Sequence, residues 1–315
     1  MPPPEPANDK LPPSDHPSPR QTLSYLRRLF DGFGLEAKTK LGQNFLVDLN
    51  LLDLIARTAE LDHSDCVLEV GTGTGSLTTR LSDNAGAVCT VEIDRSLQPV
   101  AQQIVGNRKN VRYVFGDALA SKNELNPDML KAWDETAAKH KCTRRKLVAN
   151  LPYVIATPIV SNLLLSDIAI ERMVVMVQWE IAERFVARAS TKDYNSLSVL
   201  VQSVADVQIV RKVLPTNFFP QPKVNSAIVK ITPNAAKRAK VGNVRLFRAF
   251  LRDLYVHRRK NLRQALVGWP SGRKEKGDVD AKLKALDIDG TLRSESLDIE
   301  QHLRLCAAFA SEPPT

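Results

Sequence analysis

Apolar and polar positions along this chain follow two periods in turn. Leu51, Leu52, Leu54 and Ile55 share one face of a helix that Asp48 is placed to cap. Short apolar runs then recur at 66–70, 87–93, 111–115, 146–149 and 173–177, each the length of one buried strand. Helical stretches separate them, which is the pattern of a parallel sheet covered on both faces. Two further strands are expected at 207–213 and 224–231. The turn between them, through Pro215, Pro220 and Pro222, is short enough to require antiparallel pairing. The expected fold class is α/β, with a seven-stranded sheet whose last strand is antiparallel.

The flanks read differently. Residues 1–20 are crowded with proline and poor in apolar side chains, so a disordered tail is expected there. A short amphipathic helix follows at 21–30. Residues 123–145 read as a polar, charged excursion, and 232–243, rich in Ala, Lys and Arg, as a linker. Beyond it the pattern is helical with no strand signal. This divides the chain into a tail (1–20), an α/β domain (21–235) and a small all-helical domain (241–315).

Composition narrows the class. Of 315 residues, 43% are hydrophobic and 25% charged, the balance of a soluble globular protein. No apolar run is long enough to span a membrane, and no basic-then-apolar leader is present, so no membrane association and a cytoplasmic location are expected. The four cysteines match no zinc spacing, and no metal site is expected. None of the five histidines is assigned to catalysis. A net charge of +9 suits a polyanionic partner without requiring one.

The candidate chemistry lies at strand ends. Gly71-Thr72-Gly73-Thr74-Gly75 follows the first buried strand and precedes a helix, where backbone amides can approach a ligand. The dinucleotide pattern would need glycine at Ser76, so this spacing suits a ligand without a pyrophosphate, such as S-adenosylmethionine; a ligand-free tight turn is the plainer alternative. Glu92 ends the second strand, where a carboxylate can accept from two ribose hydroxyls or simply face solvent. Asp117 ends the third, as an acceptor for an adenine amine or as a cap. Asn150-Leu151-Pro152-Tyr153 ends the fourth. Adenine N6 is a poor nucleophile, and two acceptors, the Asn150 side-chain oxygen and the Leu151 carbonyl, would help it become tetrahedral. Pro152 fixes the turn, and Tyr153 offers a face on which an extruded base can stack. A β-turn closed by Asn and Pro is the competing reading. Thr157 and Pro158 are expected to open the next helix.

A long helical pattern spans 243–266. Phe247, Phe250, Leu251, Leu254, Leu262 and Ala265 fall on one face, with Arg245, Arg248, Arg252, Arg259 and Arg263 opposite and Arg258 nearer the apolar side. The arginine stripe is either a phosphate rail or a solvated face.

In sum these motifs resemble the small-subunit ribosomal RNA adenine dimethyltransferases of the KsgA/RsmA group. The resemblance runs from about residue 37 to 309. It rests on Lys40-Leu41-Gly42-Gln43-Asn44-Phe45-Leu46, the glycine loop, Val91-Glu92-Ile93-Asp94, Gly116-Asp117-Ala118-Leu119 and Asn150-Leu151-Pro152-Tyr153. It continues through Gln178-Trp179-Glu180-Ile181-Ala182-Glu183-Arg184, the stretch from Phe218 to Ser226, and Arg258-Arg259-Lys260. It implies a class I, Rossmann-like methyltransferase fold and a cofactor site of Asn44, Leu46, Gly71, Glu92, Asp117 and Asn150. It implies that Phe218 faces Tyr153 across the target base, and that Lys260 joins the arginines as an RNA contact. The implied reaction is dimethylation of two adjacent adenines near the 3′ end of 16S rRNA within a pre-30S particle, by a monomer. Thr72, Val154, Ala156 and Asn195 depart from the residues usual in the group. The alternatives are a large-subunit enzyme of the antibiotic-resistance type, a weakly active assembly factor and, disfavoured by Ser76, a dehydrogenase.

Overall fold

A computed structural model describes residues 23–269 and 274–310, so the expected tail lies outside the described residues. The strands are β1 (Phe45–Leu46), β2 (Asp65–Val70), β3 (Ala87–Glu92), β4 (Val111–Phe115), β5 (Leu119–Ser121), β6 (Glu124–Leu125), β7 (Arg144–Asn150), β8 (Ile170–Gln178), β9 (Ala205–Val213), β10 (Phe218–Phe219) and β11 (Ser226–Pro233). Seven of them form one sheet in the order β4-β3-β2-β7-β8-β11-β9. β11 runs antiparallel to both neighbours, so the last strand is reversed as expected. β2 and β3 are buried along their whole length because apolar layers cover both faces.

The helices are α1 (Leu23–Gly32), α2 (Leu49–Thr58), α3 (Ser76–Asn84), α4 (Gln98–Val105), α5 (Pro127–Lys139), α6 (Tyr153–Leu165), α7 (Trp179–Val186), α8 (Ser196–Gln202), α9 (Ala235–Val241), α10 (Val244–Val256), α11 (Leu262–Val267), α12 (Lys276–Ala285) and α13 (Ile299–Ala310). Asp48 caps α2 as expected, its carboxylate accepting from the Asn50 N–H. Asn195, at one of the unusual positions, caps α8 in a reciprocal box with Ser198.

Five expectations are corrected. The polar excursion at 123–145 holds α5, which buries Met129, Ala132, Trp133, Thr136 and Ala137 at helical spacing, with the Trp133 indole donating to the Cys66 carbonyl. The linker contains α9, capped by Asn234. Residues 243–266 are two helices, because Asn261 caps a new start at α11; the arginines therefore form no continuous rail. Arg258 is exposed rather than partly buried. α6 begins at Tyr153, so Pro158 lies inside the helix instead of opening it. The bond Pro158 cannot make is to the carbonyl of Val154, at an exposed turn.

After β11 every regular element among the described residues is helical. The apolar faces of α10, α11 and α13 join the core on one side of the sheet in a single cluster. No helix among the described residues is long and apolar enough to cross a membrane. A separate two-stranded ladder pairs Phe45 with Phe219 and Leu46 with Phe218.

Candidate active site

Because β2 lies between β3 and β7, the carboxyl ends of three strands meet at one edge of the sheet. Gly71, Glu92 and Asn150 thereby become neighbours, although 79 positions separate the first from the last. They line a pocket with Gly42, Gln43, Asn44, Gly73, Ile93, Leu151, Pro152 and Tyr153.

Gly71 has φ +89°, and a Cβ there would stand 3.3 Å from the Pro152 ring. The left-handed backbone at Gly71 and its close approach to the Asn-Leu-Pro-Tyr turn both favour glycine. Gly75 (φ +84°) serves packing, since a Cβ would meet Val105 at 2.8 Å.

Glu92 is 7% exposed. Its oxygens accept from the backbone N–H groups of Gly73 and Asp94, both at 2.9 Å. Burial raises its pKa, and those backbone bonds oppose the rise. Beneath the loop lies a buried chain of hydroxyls. Thr72 meets Thr90 at 2.6 Å, and Thr90 and Thr78 both donate to Glu69 Oε2. Burial pushes the Glu69 carboxyl up to about 8 against those bonds. Thr72 is thus accommodated through a hydroxyl link.

Asn150 Nδ2 donates to the Asn44 carbonyl at 3.0 Å. That bond turns Oδ1 the other way, and neither Oδ1 nor the Leu151 carbonyl accepts a hydrogen bond from any described residue. The Leu151 N–H is anchored on the Met176 carbonyl at 3.2 Å. Tyr153 is held by its hydroxyl, 2.6 Å from Ser226 Oγ.

Of the residues expected here, Asn44, Gly71, Glu92, Asn150, Leu151, Pro152 and Tyr153 come together. Asp117 lies outside the lining, exposed, with its carboxylate accepting from the Leu119 N–H. Leu46 and Phe218 are buried against each other's strand in a second apolar cluster. Phe218 is 3% exposed, so a base stacking on it has to displace its packing. The basic residues also divide. Arg248 donates to Asn162 Oδ1 and Asn123 Oδ1, Arg252 to Asp253 and Arg263 to Asp280. Arg245, Arg259 and Lys260 are exposed.

Residue-by-residue reading of the sequence missed a clamp on the pocket. Asp94 accepts from Lys38 Nζ (2.7 Å) and Gln43 Nε2 (2.8 Å). Burial works to raise its pKa, but the bonds from Lys38, Ser96 and Gln43 outweigh it and hold the group at about 2. The presence of Gln43 and Asp94 inside shared motifs was the available signal. Among the described residues no cluster of His, Cys, Asp or Glu could hold a metal.

Comparison with known proteins gives the family and the fold. The sequence pattern of the family described as "Ribosomal RNA adenine dimethylase" matches residues 34–309. The chain is 37% identical over 292 residues to ribosomal RNA small subunit methyltransferase A of Bacillus pumilus (strain SAFR-032), covering 92% of this chain and 96% of that one. The protein of the same name from Moorella thermoacetica (strain ATCC 39073 / JCM 9320) is 38% identical over 286 residues, 90% and 95% of the two chains. Among solved structures, a dimethyladenosine transferase from Plasmodium falciparum superposes with a TM-score of 0.67 at 26% identity, over 83% of this chain and 95% of that one. The 23S rRNA methyltransferase ErmE superposes with a TM-score of 0.59 at 27% identity, over 84% and 99%. The chain therefore belongs to the ribosomal RNA adenine dimethylase family and is an rRNA adenine dimethyltransferase.

Proposed function

We propose that this enzyme methylates N6 of two adjacent adenosines near the 3′ end of small-subunit (16S) rRNA, giving N6,N6-dimethyladenosine on a pre-30S particle, and that it acts as a monomer. The observation that carries the reading is the orientation of Asn150, whose amide bond to the Asn44 carbonyl leaves Oδ1 beside the pocket that Gly71 and Glu92 line. The names of the bacterial relatives favour the small subunit.

The pocket suits S-adenosylmethionine. A carboxylate offers about four acceptor sites, and the N–H groups of Gly73 and Asp94 take two of them on Glu92. Two ribose hydroxyls fit the remainder. Gly71 leaves its backbone open to close approach, Asn44 lines the same wall, and Leu46 anchors that wall from β1. Asp117 has a second carboxylate oxygen for an adenine amine. When bound, S-adenosylmethionine supplies a sulfonium-activated methyl group.

The chain's own part is positioning and charge stabilisation. Asn150 Oδ1 and the Leu151 carbonyl accept the two N6 hydrogens and draw the nitrogen toward tetrahedral geometry. Positive charge developing on that nitrogen faces these two dipoles. Tyr153, pinned by Ser226, stacks on the base, with Phe218 across from it once its packing opens. No side chain has to remove a proton before transfer, because the proton becomes acidic only afterwards. Arg245, Arg259 and Lys260 contact RNA phosphates through exposed, uncommitted charge; Arg248, Arg252 and Arg263 reach RNA only by exchanging their present partners.

The test offers labelled S-adenosylmethionine with small- and large-subunit particles from unmethylated cells, followed by nucleoside analysis. Dimethyladenosine in small-subunit rRNA is expected. Label in the large subunit instead, or none despite cofactor binding, overturns the reading.

A further inference from the structure

Near Tyr153 the surface carries a cation that is held in place without being neutralised. Most basic side chains with a fixed position in this fold have a carboxylate partner: Arg144 with Asp65, Arg172 with Glu60, Arg184 with Glu180, Arg252 with Asp253 and Arg263 with Asp280. Such pairs have little net charge to offer a polyanion. Lys212 differs. It is exposed, and its Nζ lies 4.5 Å from the centroid of the Trp179 ring. A cation over an aromatic face is oriented by the ring quadrupole and keeps its full charge.

The position of this pair is set by β11. Lys212 is opposite Ala227 in the ladder, and the hydroxyl of Ser226, the adjacent residue, lies 2.6 Å from that of Tyr153. Trp179 follows Gln178, which is opposite Ser226, and the Trp179 N–H donates to the Asn225 carbonyl at 2.9 Å. Trp179 and Lys212 therefore flank β11 at residues 225 and 227, two strand spacings apart (about 9.6 Å), and Tyr153 meets the same end of β11 at Ser226, from the opposite face. Glu180 of α7 is engaged by Arg184, and Lys212 makes no ion pair with Glu180, Glu183 or any other carboxylate among the described residues. Around the same edge, apolar side chains stand in solvent: Val154 is 74% exposed, Leu214 55% and Val224 45%. A fixed, unneutralised cation beside exposed apolar groups suits a nucleotide, whose phosphate takes the charge while ribose and base edges take the apolar rim.

We infer that Lys212, laid on the Trp179 indole, contacts an RNA backbone phosphate adjoining the target adenosine and so positions the flanking nucleotide. The inference rests on the RNA substrate proposed above. Lys212 and Trp179 are positioning residues that touch no reacting atom, so their effect falls on RNA recognition and leaves cofactor affinity alone.

The test measures RNA binding by wild type, Lys212→Ala, Trp179→Ala and Trp179→Phe over a series of salt concentrations, with single-turnover transfer and cofactor titration alongside. Lys212→Ala is expected to reduce the slope of log affinity against log salt by about 0.7–0.9 and to raise the KM for RNA several-fold at unchanged cofactor affinity. Trp179→Ala keeps the charge but frees it, so affinity falls with less change in slope; Trp179→Phe, which retains an aromatic face, restores most of it. Should Trp179→Ala not fold, the exposed Lys212→Ala and the conservative Phe variant still decide. A wild-type slope and KM in Lys212→Ala overturn the inference. Methylation of large-subunit RNA by the wild type would sink the proposed substrate instead, and the same slope comparison on that RNA would still judge Lys212.

Discussion

Replacing Asn150 by Ala removes two things at once. The first is structural: the 3.0 Å bond from Nδ2 to the Asn44 carbonyl, which joins the end of β7 to the segment before β1. A single neutral hydrogen bond contributes about 0.5–1.5 kcal/mol net, small against a typical domain stability of about 5–15 kcal/mol, so the variant folds. The second is Oδ1, the acceptor assigned to an N6 hydrogen. Removing one preorganised group of this kind typically costs about 2.7–4 kcal/mol in the transition state, or roughly 10²–10³ in rate. The expected outcome is therefore a large loss of single-turnover methyl transfer at saturating RNA, with cofactor affinity by calorimetry close to wild type. Asn150→Asp separates the two effects, since it retains acceptor oxygens but loses the donor to Asn44; it should keep more activity than the Ala variant. Near wild-type transfer by Asn150→Ala, with the cofactor bound, would refute the acceptor argument.

Three further expectations follow from the same geometry. Burial lifts Glu69 from 4.5 to about 8 in the folded chain, so its contribution to stability is full below about pH 4.5 and is lost as pH rises toward 8; Glu69→Gln should gain Tm relative to wild type over that window, and a Tm gap constant with pH would contradict this. Arg248→Ala, which severs the link to Asn162 and Asn123, should cost about 1–3 kcal/mol in thermal or denaturant unfolding while leaving the salt slope of RNA binding unchanged; a reduced slope would return Arg248 to the phosphate contacts. Tyr153→Phe keeps the ring and loses only the Ser226 bond, so transfer should fall a few-fold, whereas Tyr153→Ala should lose about 10²; equal losses would show that the hydroxyl, not the face, matters.

The sheet was legible because its central strands are compact apolar runs, and runs such as 66–70 have no other way to be buried. The glycine loop, Glu92 and the Asn-Leu-Pro-Tyr turn were legible because each follows such a run directly, and the end of a strand is where a parallel sheet offers its ligands. α5 was not, since its five inward positions are scattered among charges and only the burial of Trp133 reveals its face. The break at 257–261 was missed because two helices of compatible phase imitate one long stripe until the Asn261 cap is seen. The Lys38–Asp94–Gln43 clamp and the Tyr153–Ser226 bond join residues 51 to 73 positions apart. No local period encodes such pairs; they exist only once the sheet order has brought the strand ends together.

The ladder of Phe45 and Leu46 with Phe218 and Phe219 has a consequence for how the two substrates are felt. On one side it continues into Asn44, whose carbonyl receives Asn150 on the wall proposed for the cofactor. On the other it carries the buried Phe218, which the proposed function sets across the target base. On the proposed function, a displacement of this ladder would reach both partners, so a ligand that settles it in one arrangement would do so for the other as well. Binding free energies coupled in this way are reciprocal: whatever factor an extruded nucleoside adds to the affinity for the methyl donor, the donor returns to the nucleoside.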